Sequence, residues 1–333
     1  VIAAPALLLG VALGATLIWG RIGFAGAFRA WQTENRPDGL APLFVFLGAG
    51  IVLHALAFGA FGASGGFVAP AGLTVAVGAF VFGIGMQLAN ACGSGTLAAL
   101  GSGSTRMLAV LPFFVAGAVL GTLNADFWDA LPAPPAISLG EALGWPITTL
   151  AQLILLTVLW IAVARRALPD RRACIAALAL AAFAVLALPI AGHVWGITWG
   201  FALIGAKAAQ SLGWDPGGVS FWRQDWARMA LDAPFWADTT VAMDAGIVAG
   251  AIVAARALGQ WGGFAKLRKR EWIAAALGGL AMGYGARISG GCNIGAFVGG
   301  IVSGSPHGWL WIAAALIGSR TGIALRPFFA LRA

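Results

Sequence analysis

The chain has 333 residues, of which 60% are hydrophobic and only 10% charged, and its mean hydropathy is +0.89. Soluble domains carry about 25% charged residues, and a soluble protein this apolar could not cover its surface with polar groups. A soluble enzyme, a nucleic-acid-binding domain and a disordered protein are excluded, leaving an all-α polytopic membrane protein embedded in the lipid bilayer; its net charge of +8 is first an orientation signal and second an attraction for an anionic substrate.

Apolar windows near the length of a membrane helix fall at 1–19, 43–61, 67–88, 107–123, 147–163, 174–190, 194–212, 239–255, 272–288 and 309–325. Residues 1–19 lack the basic leader of a signal peptide and read as the first membrane segment. No polar stretch is long enough for a soluble domain, so residues 1–333 read as one integral membrane domain. Three cysteines cannot build a disulfide framework. With no CxxC and no Cys/His cluster, neither a metal nor another cofactor is expected.

Loop charges set the orientation. Loop 164–173 carries Arg165, Arg166, Arg171 and Arg172 against Asp170, and loop 256–271 carries Arg256, Lys266, Arg268, Lys269 and Arg270 against Glu271. Both are expected in the cytoplasm, as is the tail with Arg326 and Arg332, whereas loop 124–146, with Asp126, Asp129 and Glu141 and no Lys or Arg, suits the outside. Three windows lie between the two basic loops, and three crossings cannot return a chain to the same side. The window 194–212, interrupted by Gly196, Gly200 and Gly205 and carrying Lys207, is expected to be partial or broken. About nine transmembrane helices remain, with the N-terminus outside and the C-terminus inside.

A motif recurs. Residues 82–96 read FGIGMQLANACGSGT and residues 282–296 read MGYGARISGGCNIGA. Gly83, Gly85, Cys92 and Gly95 match Gly283, Gly285, Cys292 and Gly295, and Ser102-Gly103-Ser104 matches Ser303-Gly304-Ser305 after a one-residue shift. Paired glycine-interrupted segments point to a transporter's binding site. Five crossings between the copies make the halves inverted, with repeat one at about 1–125, connecting helices at about 126–190 and repeat two at about 191–330. In each half a long helix is expected to enter, break at the Gly-Cys-Gly region and return as a re-entrant half-helix. Freed N–H groups and a half-helix N-terminus there favour an anion.

The candidate binding groups are therefore Cys92, Gly93, Ser94, Gly95 and Thr96 in one copy and Gly291, Cys292 and Asn293 in the other. Arg287 and Gln87 occupy matching positions five residues before each cysteine, and an ionisable residue at membrane depth is a functional candidate by default. Cys174, in an Ala/Leu run, reads as packing, and Trp195 and Trp199 as packing or interface belt. Arg106 and His307, matched across the repeat, are expected at the interfaces. Asp244, near the start of its window, is expected to stabilise a helix N-terminus, with proton coupling as the other reading.

LANACGSGTLAALGSGS and GARISGGCNIGAFVGGIVSGSPHGWLW resemble the two signature regions of the YeeE/YedE membrane family, the bacterial thiosulfate-uptake transporters, and WGRIGFAGAFR at 19–29 and HVWGITWGFALIGAK at 193–207 are similar to it too. The resemblance implies an inner-membrane importer of thiosulfate with an hourglass-like fold. It implies that Cys92 and Cys292 contact the ion through S–H···S hydrogen bonds, and that sulfur passes to a small TusA-like sulfur-carrier protein. Family members often carry a further cysteine near the end of the first helix, where this chain has Ile22. Relatives associated with other sulfur or selenium species keep the substrate open among such anions. A membrane thiol oxidoreductase using the two cysteines and a scaffold for a sulfur carrier are the competing readings.

Overall fold

The computed structural model describes residues 3–263 and 265–331, so Val1, Ile2, Phe264, Arg332 and Ala333 lie outside the described residues. Every regular element among the described residues is helical. The first half contains α1 (Ala4–Gly20), α2 (Phe24–Glu34), α3 (Ala41–Gly59), α4 (Leu73–Ala89), α5 (Gly93–Gly101) and α6 (Thr105–Leu123). Two short helices, α7 (Ala125–Asp129) and α8 (Leu139–Leu143), lead to α9 (Trp145–Ala162) and α10 (Arg171–Ala191). Then come α11 (Thr198–Ser211), α12 (Ser220–Arg223), α13 (Asp225–Asp232), α14 (Thr239–Ala257) and α15 (Lys269–Ile288). A π-helical turn over Asn293–Val298 continues into α16 (Gly299–Val302), and α17 (Pro306–Leu325) closes the bundle.

Among the described residues, eight helices are long and apolar enough to cross a membrane. The 20-residue α15 is as long, but charges at both ends (Lys269, Arg270 and Glu271 at the start, Arg287 at the finish) set it apart from those eight. Against the expected nine or so transmembrane helices, the described residues thus hold eight apolar enough to span, with α15 as a ninth long helix. The window 194–212 becomes α11, whose 14 residues fall short of the roughly 20 that a span needs.

The duplicated glycines are packing positions. A Cβ on Gly83 would stand 2.2 Å from the Ala315 carbonyl oxygen of α17, and one on Gly283 would stand 2.1 Å from the Phe114 oxygen of α6. Gly85 and Gly285 bring α4 and α15 equally close to each other. Exchanging α1 with α10, α3 with α14, α4 with α15 and α6 with α17 converts the α1–α14 pair into α10–α3 and the α4–α17 pair into α15–α6. All four pairs pack. Backbone-to-backbone approach of this kind is what small residues allow between membrane helices.

The two ends of the bundle differ in charge. At one end the Arg172 guanidinium lies 5.4 Å from the Trp19 ring centroid, Arg21 shares a cavity wall with Gln260, Ala265 and Leu267, and Arg268 reaches the Ala330 carbonyl at 3.3 Å. Loops 164–173 and 256–271 therefore gather at the same end. At the opposite end the Ala3 N–H donates to the Trp236 carbonyl at 3.3 Å, and Val194 to Gly65 at 3.0 Å. Ser138 Oγ donates there to the Ser303 carbonyl at 3.2 Å, bringing the acidic loop 124–146 to that end. Ser102 and Ser104 line the cavity of the basic end, whereas their repeat partners Ser303 and Ser305 hold Phe67 and Ala69 at the other.

Candidate functional site

Each repeat breaks its long helix in the same way. In the first, α4 ends as Asn90 turns to φ 67°, and the Arg106 side chain donates to the Leu88 and Ala89 carbonyls at 2.7 and 3.0 Å. Segment 90–104 thus leaves and rejoins one end of the bundle, as a re-entrant loop does. In the second, Gly290 takes φ 81° and Trp311 Nε1 donates to Ser289 Oγ at 3.0 Å, closing the matching loop. His307, the counterpart of Arg106, is fully buried, with Nδ1 2.8 Å from Ser305 Oγ.

Cys92 and Cys292 begin the returning segments with nearly identical backbones, φ −95° with ψ −169° and −166°. The Cys92 carbonyl accepts from Thr96 N and Thr96 Oγ1, both at 2.8 Å. Its sulfur lies 3.4 Å from the Gly95 N–H and 3.5 Å from Ser94 Oγ. The Cys292 carbonyl accepts from Ala296 at 3.0 Å and again from Phe297 at 3.4 Å, which widens that turn into the π geometry. Single π turns recur at functional sites.

The copies meet. A Cβ on Gly93 would stand 2.8 Å from Cys292 Sγ, so only glycine lets the first half-helix start against the second thiol. A cavity of about 600 Å³ opens from the basic end and includes Arg21, Ile22, Gly95 and Arg106 in its wall. A second, of about 430 Å³, opens from the other end onto His193, Trp195, Arg287, Gly291 and Gly295. Neither thiol lines either cavity, and Cys92 and Cys292 are 1% and 0% exposed. The two thiols are thus buried beside wall residues of both cavities, Gly95 in the first and Gly291 and Gly295 in the second. All three cysteines, including Cys174 on α10, are free thiols.

A family model described as sulphur transport matches residues 19–321. The chain belongs to this family. The match runs from α1 to α17, through both half-helices, and the paired motifs that resemble YeeE/YedE proteins lie within it. A protein of Escherichia coli (strain K12) named "Probable transporter YedE" is 28% identical over 146 residues, which are 42% of this chain. The chain spans about a third (34%) of that relative's length. The chain is thus a multi-pass membrane member of a sulphur transport family.

The other candidate residues separate. Asn293, beside Cys292, is fully buried, and its side-chain amide has no hydrogen-bond partner among the described residues. Arg287 reaches the second vestibule with its guanidinium 4.5 Å from the Phe221 ring centroid. Gln87 stands away from both vestibules. Its amide donates to the Ala25 carbonyl at 3.1 Å and to Ser319 Oγ at 2.9 Å, tying α4 to α2 and α17. The match of Gln87 to Arg287 is thus one of register only. Trp195, read above as packing or interface belt, lines the second vestibule, its indole N–H without a partner among the described residues. A signal for these wall residues was present: Trp19-Gly20 and Gly23-Phe24 anticipate Trp195-Gly196 and Gly200-Phe201, and they flank the starts of α2 and α11.

Proposed function

We propose that this family member imports thiosulfate across the bacterial inner membrane, with the basic end in the cytoplasm and the N-terminus outside. The ion enters the vestibule that carries Arg287, crosses between the Cys292 and Cys92 thiols through S–H···S hydrogen bonds, and leaves past Arg21 and Arg106. The observation that carries this reading is the contact of Gly93 with Cys292 between two opposed cavities. Duplicated thiols at a closure supply weak donors and soft acceptors, and a permeation site must release as readily as it binds. The N–H groups of Gly93, Ser94 and Gly95, the Thr96 hydroxyl that fixes the Cys92 carbonyl, the bend at Gly291 and the unpartnered Asn293 amide complete the passage. Release at the basic end suits transfer to a TusA-like sulfur-carrier protein. Uptake of labelled thiosulfate into liposomes that contain only this protein, with selenite and sulfite as competitors, tests the reading. No uptake above empty liposomes rejects it.

A further inference from the structure

Asp238, not Asp244, caps α14: its carboxylate accepts from Thr240 N at 2.9 Å and Val241 N at 3.0 Å, and takes the Trp199 indole N–H at 2.8 Å. Asp244 lies beyond the first turn. It is 4% exposed, and neither carboxyl oxygen has a hydrogen-bond partner among the described residues. A Cβ on Gly200, in the first turn of α11, would stand 2.6 Å from Asp244 Oδ2, so the carboxyl is pressed against backbone without being bonded to it. Both roles that would make a buried carboxylate structural, a cap or an ion pair, are unfilled.

The elements packed on α14 offer no compensating charge. α1, α5 and the turn 235–237 contain no ionisable side chain. Lys207 of α11 is spent on the Leu231 and Ala233 carbonyls, at 2.5 and 2.6 Å. The titratable groups that remain on this side are Asp238, the Cys292 thiol, Arg287 in the same vestibule wall, and His193, whose Nε2 lies 3.4 Å from the Thr239 and Thr240 hydroxyls. Thr240, one turn before Asp244 on the same helix, lines the second vestibule.

We propose that Asp244 is the proton site of the transporter, and that the proton and the anion travel together. The proposal rests on the anion-import reading above. An ionised carboxylate without partners is costly to bury, and beside a divalent anion at Cys292 its charge would also repel the cargo, so the ionised form belongs to the empty transporter only. Asp244 therefore takes one proton from water in the second vestibule when the anion enters, and returns it to water at the basic end when the anion leaves. The linkage is reciprocal: anion occupancy favours the acid form, and the acid form favours the anion.

Two measurements on the full chain decide it. In liposomes with a trapped pH dye, labelled thiosulfate uptake is expected to acidify the interior and to run roughly tenfold faster at an external pH of about 6 than of about 8. Asp244→Asn is expected to flatten that profile to under about twofold, with no dye response. Uptake without proton entry, or an unchanged profile in Asp244→Asn, overturns the proposal. Infrared difference spectra of the purified protein between about pH 6 and about pH 8, without thiosulfate, are expected to show a protonated carboxyl band that Asp244→Asn lacks. That band needs no transport, so it decides the proton site even if thiosulfate uptake itself fails. A wild-type spectrum without the band rejects the proposal independently of the substrate.

Discussion

Gly93 and Cys292 occupy one contact: a methyl group on the first would come within 2.8 Å of the sulfur of the second. That separation is shorter than any real carbon–sulfur contact, so Gly93→Ala must push the Cys292 thiol or its loop aside. Uptake is expected to fall by about tenfold or more, equivalent to about 1.4 kcal/mol at the closure. Gly95→Ala, whose Cβ would meet Cys92 Sγ at 3.3 Å, is expected to be milder. Initial rates in liposomes, at equal reconstituted protein, check the order of the two.

Cys92→Ala and Cys292→Ala each remove one thiol from the crossing. A hydrogen bond to a charged partner contributes about 1.5–3 kcal/mol, so each variant is expected to lose roughly ten- to a hundredfold in uptake. Losing so small a side chain costs far less packing than the about 2–5 kcal/mol of Leu→Ala, so both variants should fold. Cys174→Ala is expected to be silent. Near-normal uptake by either closure variant would remove that thiol from the pathway.

The half-helix breaks were legible because Cys92 and Cys292 recur inside matched glycines 200 residues apart. The short α11 was legible from Lys207 and three glycines in one apolar window. What the sequence hid was long-range. Gln87 aligns with Arg287 along the chain, yet α2 and α17 converge on it from 62 and 232 residues away. Asp244 looked like a helix-start residue because a hydropathy window cannot locate a cap, and Asp238 sits at the true start of α14. The walls of the vestibules come from segments distant in sequence, such as Arg21 beside Gln260 and Trp195 beside Arg287.

Loops 164–173 and 256–271 share one end of the bundle, as Arg172 on Trp19 and the joint wall of Arg21 and Leu267 require. Single cysteines placed at Arg166 and Lys266 on a cysteine-free background are expected to react from the cytoplasmic side only. A cysteine at Gly218 lies where nothing crowds a side chain, between α11 and α12, and is expected to react from the outside. Labelling of the two basic loops from opposite faces would contradict the fold itself.

The packing glycines carry stability and not selectivity. A Cβ on Gly83 would stand 2.2 Å from the Ala315 carbonyl oxygen, so Gly83→Ala must separate α4 from α17. Overpacking of this kind costs about 1–3 kcal/mol, read as a lower thermal unfolding midpoint in detergent. Gly26→Ala, on α2 with no atom within 4 Å of the new Cβ, is the control. It is expected to be neutral or to stabilise by up to about 1 kcal/mol through helix propensity.

Selectivity against sulfate tests the closure most directly. Thiosulfate and sulfate are both tetrahedral dianions and differ in one terminal atom, sulfur against oxygen. Arg287 at one vestibule and Arg21 and Arg106 at the other act on charge, which the two ions share, so a pathway built on those groups alone would pass both. The soft groups at the closure are the Cys92 and Cys292 sulfurs, buried where no vestibule water reaches them. A terminal sulfur is larger and less strongly hydrated than a terminal oxygen, so it loses less on leaving water for a thiol-lined constriction. Specificity is the difference between the two ions' free energies at that point, and about 1.4 kcal/mol per tenfold makes two weak contacts enough for a clear preference. Excess sulfate is therefore expected to compete poorly with labelled thiosulfate. The double variant Cys92→Ser, Cys292→Ser is expected to lose thiosulfate uptake without gaining a sulfate path, because the constriction is shaped for the longer ion. If sulfate inhibits the native protein as well as unlabelled thiosulfate does, the thiols are not the filter and charge alone governs the pathway.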